Sequence, residues 1–253
     1  MDVVYFILFF IFGTIFGSFY NVIGYRLPKG ESIIYPASHC PNCGHKLGTL
    51  ELIPILSFLI QKGRCKHCQN KISAFYMVFE FLTGLLFGIA YLCFGFSLEL
   101  IIALTFISLL IIIVVSDYNY MIISDSVLIF FSILLGVEIL IIYGPDKFIG
   151  RLISAILAFL TMFFIKKIGD FMFKKESMGG GDIKLMFIFG LVLGYPMTIL
   201  SIFLGSLVGF PISLIMLKKN MDHIIPFGPF LAIGGIIILL LQLNFETILK
   251  LYM

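Results

Sequence analysis

Residues 98–117 read LELIIALTFISLLIIIVVSD, from Leu98 to Asp117. A helix needs about 20 predominantly apolar residues to cross a bilayer, and Leu98–Ser116 supplies them without a break. Working outward, Ala74–Phe94 precedes it across the short Gly95–Ser97 turn, and Val3–Val22 opens the chain. Downstream come Ile122–Tyr143 and Phe148–Ile165, parted by Gly144–Lys147. Ile183–Gly194 follows, ended by Tyr195-Pro196, then Met197–Leu217 and Ile224–Leu243. The expectation is an all-α membrane protein of about eight spans. The sixth is the short one, about 18 Å if it spans alone at 1.5 Å per residue. Composition agrees, since 60% of the 253 residues are hydrophobic and 12% charged. A soluble domain carries about 45–50% and about 25%. Asp2, and no basic segment, precedes the first run, so that run reads as a span and not as a cleaved signal.

Orientation follows Lys and Arg. With the N-terminus outside, one side receives Arg26, Lys29, Lys46, Lys62, Arg64, Lys66 and Lys71 from a polar insertion at 25–73. It also receives Lys166, Lys167, Lys174, Lys175 and Lys184 from the fifth connection, and Lys218 and Lys219 from the seventh. The other side receives Lys147, Arg151 and Lys250. The basic-rich side is the cytoplasm. A net charge of +3 is too small to suggest nucleic acid.

The insertion holds two C-x-x-C pairs, Cys40 with Cys43 and Cys65 with Cys68. Paired doublets at this spacing suit a tetrahedral four-thiolate zinc site, and a closed shell of four sulfurs makes it structural. Gly44 permits the turn after the first pair. His39, His45 and His67 lie close enough to stand in for a cysteine. Chance doublets or a redox pair are the alternatives. Cys93, inside an apolar run, reads as packing.

Carboxylates at membrane depth are costly and mark function by default. Asp117 ends the third span, Asp125 begins the fourth and Asp182 opens the sixth, all three at the cytoplasmic boundary on this orientation. Asp182 follows Gly179-Gly180-Gly181, a run that allows close backbone approach. Two such carboxylates brought together do not both ionise readily, so one holds a proton while the other deprotonates water. Asp125, in Ile123-Ser124-Asp125-Ser126, also reads as a helix N-cap. Glu80, expected about one turn into the second span, reads either as a snorkelling or capped residue paired with Lys71 or another base, or as one facing a ligand.

With these residues in view the chain resembles the prepilin peptidases, the type IV leader peptidases. The resemblance runs from about Phe12 to Gly235. It rests on Gly17-Ser18-Phe19-Tyr20-Asn21-Val22 with Arg26-Leu27-Pro28, both cysteine pairs, and Ile53-Pro54-Ile55-Leu56-Ser57. It continues through Gly63-Arg64-Cys65, Ile72-Ser73, Glu80 with Leu82-Thr83-Gly84, and the Asp117 and Asp125 cluster. It ends with Met178–Leu185 and Ile225–Ala232. Each is weak alone, and their order is specific.

The resemblance implies an eight-span enzyme of the bacterial cytoplasmic membrane. Its parts are a first helix at 1–24, a cytoplasmic zinc domain at 25–73 and a transmembrane peptidase domain at 74–253. It implies cleavage of prepilin or pseudopilin leaders after a glycine, with Asp117 and Asp182 as the catalytic pair. It further implies N-methylation of the freed amine with S-adenosylmethionine, as in many members. Glu80, Asp125 and Lys184 are candidates for contact with the substrate or the methyl donor. Ser124 stands where the family usually has proline, Phe75 where arginine is frequent and Met77 where proline is frequent. The first bears on Asp125, and the other two on the entry to the second span. The rival readings are a transporter with a zinc-organised cytoplasmic domain, because glycine-broken helices with carboxylates also serve ion coupling, and a membrane methyltransferase with no peptidase role.

Overall fold

In a bilayer every backbone N–H and C=O must be satisfied within the protein, so long apolar runs fold as helices. The computed structural model describes residues 1–174, 176, 178–218 and 226–243. Lys175, Lys219, Ile224, Ile225 and Lys250, which enter the charge count, the last span and the final motif, lie outside them. Eight α-helices follow in order: α1 (Asp2–Arg26), α2 (Leu56–Ile60), α3 (Ala74–Phe94), α4 (Leu98–Tyr120), α5 (Asp125–Phe173), α6 (Gly180–Leu193), α7 (Tyr195–Lys218) and α8 (Gly228–Leu240). The described residues contain no strand, only two isolated bridges in the insertion. Five helices are long and apolar enough to cross a membrane, and the protein is a multi-pass membrane protein.

The expected spans map onto these helices with three differences. The fourth and fifth are the two halves of α5, which spans 49 residues and breaks at Gly144 (φ 80°, ψ 172°) just before Pro145. Unbroken, it would run about 74 Å, far beyond one crossing. The sixth starts earlier than expected: Gly180 and Gly181 are already helical, and Gly179 alone caps α6. The last is shorter, 13 residues in α8. Neither α6 nor α8 has the length of an independent crossing, and both depend on neighbouring helices.

The chain forms two compact units, Met1–Gly95 and Phe96–Met253. In the first, α1 lies along α3. Gly13 faces Gly84, Gly17 faces Glu80 and Thr83, and Gly88 receives the Phe6 ring. A Cβ on Gly13 would sit 2.7 Å from the Thr83 carbonyl oxygen, and one on Gly84 would sit 2.8 Å from that of Phe10. Small residues let helix backbones approach where no hydrophobic effect drives them together. Phe9 stacks on Tyr91 at 5.0 Å between the same two helices. α3, placed by the sequence reading with the later spans, packs here with α1.

In the second unit α4 is the central helix. Phe106, Ile107, Leu109, Leu110 and Ile113 are fully buried along it. α6 packs on α5, where Gly190 meets the Ala155 backbone. α8 packs against α7 and α4.

Candidate active site and metal site

Asp117 lies within the last turn of α4. That helix stops at Tyr120 because Met121 takes a left-handed conformation (φ 54°), with its N–H donating to the Asp117 carbonyl at 2.8 Å. The Ser116 hydroxyl donates to the Ile122 carbonyl and secures the turn. This turn also brings Ile123 over Gly181: a Cβ there would lie 2.6 Å from the Ile123 Cβ. Close approach, not left-handed conformation, is what the glycine at 181 provides. It lets the first turn of α6, carrying Asp182, settle beside the end of α4.

Asp117 and Asp182 are both buried, at 6% and 7% exposure. Their charges interact, so the fold has brought together two carboxylates 65 positions apart in sequence. The Gly228 backbone N–H, at the start of α8, donates to Asp117 Oδ2 at 2.9 Å and orients that carboxylate. A Cβ on Gly228 would lie 2.6 Å from the same oxygen. Asp182 Oδ1 is buried with no hydrogen-bond partner among the described residues. One carboxylate is anchored and the other presents a free acceptor oxygen. Asp182 is also met by the Gly179 backbone, so only its Oδ1 is left open.

Asp125 corrects the N-cap reading. The N-cap of α5 is Ser124, and Asp125 is the first helical residue. Its carboxylate is gripped at both oxygens by Lys184 Nζ, at 2.7 and 2.8 Å. This exposed ion pair ties the start of α5 to the second turn of α6. Lys184 follows Asp182 by two positions, about 200° around the helix. The ion pair therefore faces away from the Asp182 carboxylate.

Glu80, the seventh residue of α3, is deeper than one turn. Its partner is not Lys71: Oε2 accepts from the Ile55 N–H at 2.8 Å. Ile55 has φ 61°, a region rare for a β-branched residue and held only where its surroundings demand it. One turn nearer the start of α3, Asn21 donates to the Tyr76 carbonyl at 3.2 Å, and its Oδ1 is buried without a partner among the described residues. The sequence reading quoted Asn21 and Gly228 inside motifs but gave neither a role. Glu138 was missed as well. It accepts from the Thr105 hydroxyl at 2.8 Å between α5 and α4.

The four cysteines converge, all four sulfurs lying within 4.8 Å of one another. Two matching knuckles position them. Cys40 N–H donates to the His45 carbonyl and Gly44 N–H to the Cys40 carbonyl. Cys65 N–H donates to Asn70 and Gln69 N–H to Cys65. Gly44 (φ 70°) and Gln69 (φ 59°) make the equivalent left-handed turns. The chemistry of the donor set fits a cation. Backbone N–H groups, that of Cys43 first, hold the Cys40 thiol down, and that of Asn70 holds Cys68 down to about 6. The His45 N–H acts in the same sense on Cys43. Burial and bonds to the neighbouring sulfurs outweigh it and push that thiol up to about 12. Four thiolates share this space only with a cation between them. The histidines are engaged elsewhere. His39 Nδ1 lies 2.9 Å from the Ala37 carbonyl, and His45 contacts Glu51 and stacks on His67. Cys93 is exposed on α3 and not part of a core.

Comparison with known proteins agrees with this layout. Residues 11–94 match the Bacterial Peptidase A24 N-terminal domain, and residues 104–214 match the Type IV leader peptidase family. A Bacillus subtilis protein named prepilin leader peptidase/N-methyltransferase is 42% identical over 232 residues, covering 90% of this chain and 91% of its own length. Proteins of the same name from Aeromonas salmonicida and Myxococcus xanthus are 33% and 35% identical. The first match covers 93% of this chain and 90% of the relative, the second 82% and 62%. No solved structure matches the chain. Two family models that between them take in both compact units, with a relative alike along nearly its full length, establish that the chain belongs to the type IV leader peptidase family.

Proposed function

We propose that this chain is a prepilin leader peptidase that cleaves prepilin or pseudopilin precursors with Asp117 and Asp182, and that it methylates the new N-terminus. The observation carrying this reading is the buried carboxylate pair, one member anchored by Gly228 and the other with a free oxygen. In such a pair one acid keeps its proton and polarises the scissile carbonyl. The other, ionised, takes a proton from the attacking water. The pair titrates as a unit. The leader is cut at the mouth of the membrane, after a glycine, where the leader meets an apolar helix.

Cys40, Cys43, Cys65 and Cys68 hold a structural zinc ion in the lobe at 25–73. S-adenosylmethionine supplies the methyl group, and Glu80 holds the amine that receives it. Asp125 and Lys184, paired and turned away from Asp182, steady α6 and do not touch the scissile bond. The enzyme sits in the bacterial cytoplasmic membrane with its N-terminus outside, and the lobe and carboxylate pair on the cytoplasmic side. That side carries fourteen of the seventeen Lys and Arg. No observation favours the transporter.

Cleavage of a co-expressed prepilin, followed by mass spectrometry of the product, tests the pair. Asn keeps the size of Asp and cannot ionise. Asp117→Asn and Asp182→Asn should each abolish cleavage in a protein that still accumulates in the membrane. The double variant should be little worse than either single one, because the two act together. Cleavage near the wild-type rate in Asp182→Asn would end the aspartic-peptidase reading.

A further inference from the structure

The lobe at 25–73 is polar in composition, yet one set of its apolar side chains is open. Ile34, Tyr35, Leu56, Leu59 and Ile60 are between 55% and 86% exposed. They belong to two separate segments, and each segment is pinned to a membrane helix. Arg26, the last residue of α1, donates through Nη1 to the carbonyls of Ser32 and Pro36, at 3.1 and 2.7 Å. Ile34 and Tyr35 sit in the loop between those two carbonyls, at the level where α1 ends.

The second pin is Glu80. It lies six residues inside the start of α3, about 9 Å along the axis, and holds the Ile55 N–H. α2 begins at the next residue. Leu56, Leu59 and Ile60 are therefore launched from a point level with the second turn of a spanning helix. Phe58 turns the other way, its ring packed over Gly63, where a Cβ would lie 2.9 Å from it. α2 thus has an inward side and an open apolar side.

Soluble surfaces seldom leave so many large apolar side chains of one small lobe open. Here the cover is adjacent, because both pins sit at helix ends that pass into the bilayer. The surrounding charge suits it too. The segment from 25 to 73 carries seven Lys and Arg against two acids, Glu31 and Glu51. Bacterial inner-leaflet lipid is anionic in part, and basic segments with apolar side chains settle at its surface. Tyr35 is of the type enriched at that depth.

We propose that the side of the four-cysteine lobe formed by Ile34, Tyr35, Leu56, Leu59 and Ile60 is seated in the headgroup boundary of the bilayer. The lobe is then a monotopic attachment held at three places: the end of α1, the start of α3 and α2 itself. Its metal knuckles are kept at fixed height over the membrane mouth, and swinging on the two tethers is suppressed.

The chain contains no tryptophan, so a single introduced one reports without background. Ile60→Trp and Tyr35→Trp are made in the full chain and reconstituted in vesicles of phosphatidylethanolamine and phosphatidylglycerol. Metal content of one ion per chain confirms a folded lobe in each. Lipids brominated near the headgroup should quench both fluorophores, aqueous iodide should quench neither strongly, and emission should be blue-shifted. Leu59→Trp serves if either variant loses metal. Quenching by iodide and not by bromolipid would overturn the proposal. Protection from both quenchers would overturn it as well, assigning the side to a protein surface such as a second copy of the chain.

Discussion

Each of the two carboxylates meets a backbone N–H, Asp117 that of Gly228 and Asp182 that of Gly179, and they differ in the oxygen left over. Asp117 Oδ2 is held by Gly228, while Asp182 Oδ1 has no partner among the described residues. Glu80 shows a comparable economy: one oxygen fixes the strained Ile55, and Asn21 Oδ1 is left an acceptor nearby on the facing helix. Acceptor oxygens placed in this way suit a ligand that brings N–H donors, such as a protonated amine. Glu80→Gln keeps the shape and removes the charge. It should lower methylation by more than tenfold, about 1.4 kcal/mol or more, while cleavage changes less. The two yields are read together from the mass of the product N-terminus. An equal fall in both, following protein abundance, would reduce Glu80 to a structural strap.

Among the elements, the α1–α3 pair is one whose geometry admits little change. Gly13, Gly17 and Gly84 bring the backbones into contact, while Gly88 makes room for the Phe6 ring. Gly84→Leu would force side-chain atoms into the Phe10 carbonyl and Thr14. Overpacking of this kind typically costs about 1–3 kcal/mol, and more where backbone cannot yield. The expected result is a lower thermal midpoint in detergent and reduced yield. Zinc content per surviving folded chain should be unchanged, since the knuckles lie elsewhere in that unit. A second tie is the Asp125–Lys184 pair. It is exposed on both partners, so its contribution to stability is small. Its role is to set where α6 begins relative to α5.

For the whole molecule, the lobe at 25–73 is the part that an ion held by the four cysteines would stabilise most. It has almost no core of its own: α2 is five residues long, and each knuckle is closed by one isolated bridge, His39 with Lys46 and Arg64 with Lys71. Structural zinc binding contributes about 10–16 kcal/mol in small peptides, as much as or more than the net stability of a typical domain, about 5–15 kcal/mol. Removing the ion should therefore unfold the lobe. Cys40→Ser or Cys65→Ser should abolish stoichiometric zinc and sharply lower abundance in the membrane. Prolonged chelation of the purified protein should expose the segment to limited proteolysis, while the helices of the second unit stay protected. A folded, protease-resistant lobe without metal would contradict this.

The sequence by itself determined the helical membrane class, because runs such as Leu98–Ser116 have one way to satisfy their backbone in lipid. It also determined the four-cysteine set, because ligand type and spacing carry the coordination chemistry. The broken α5 was legible at Gly144-Pro145, where proline cannot donate and glycine takes φ 80°. The convergence of Asp117 with Asp182 was an expectation that pattern alone could not establish. It depends on Ile123 seating against Gly181 and on α8 arriving with Gly228, contacts made between helices far apart in sequence. Tertiary structure likewise decided that Asp125 pairs with Lys184 and does not cap α5, and that Glu80 holds Ile55 and not Lys71. A local pattern names which groups need a partner. Which partner arrives is settled by packing, since every backbone and side-chain donor within reach competes for the same oxygen.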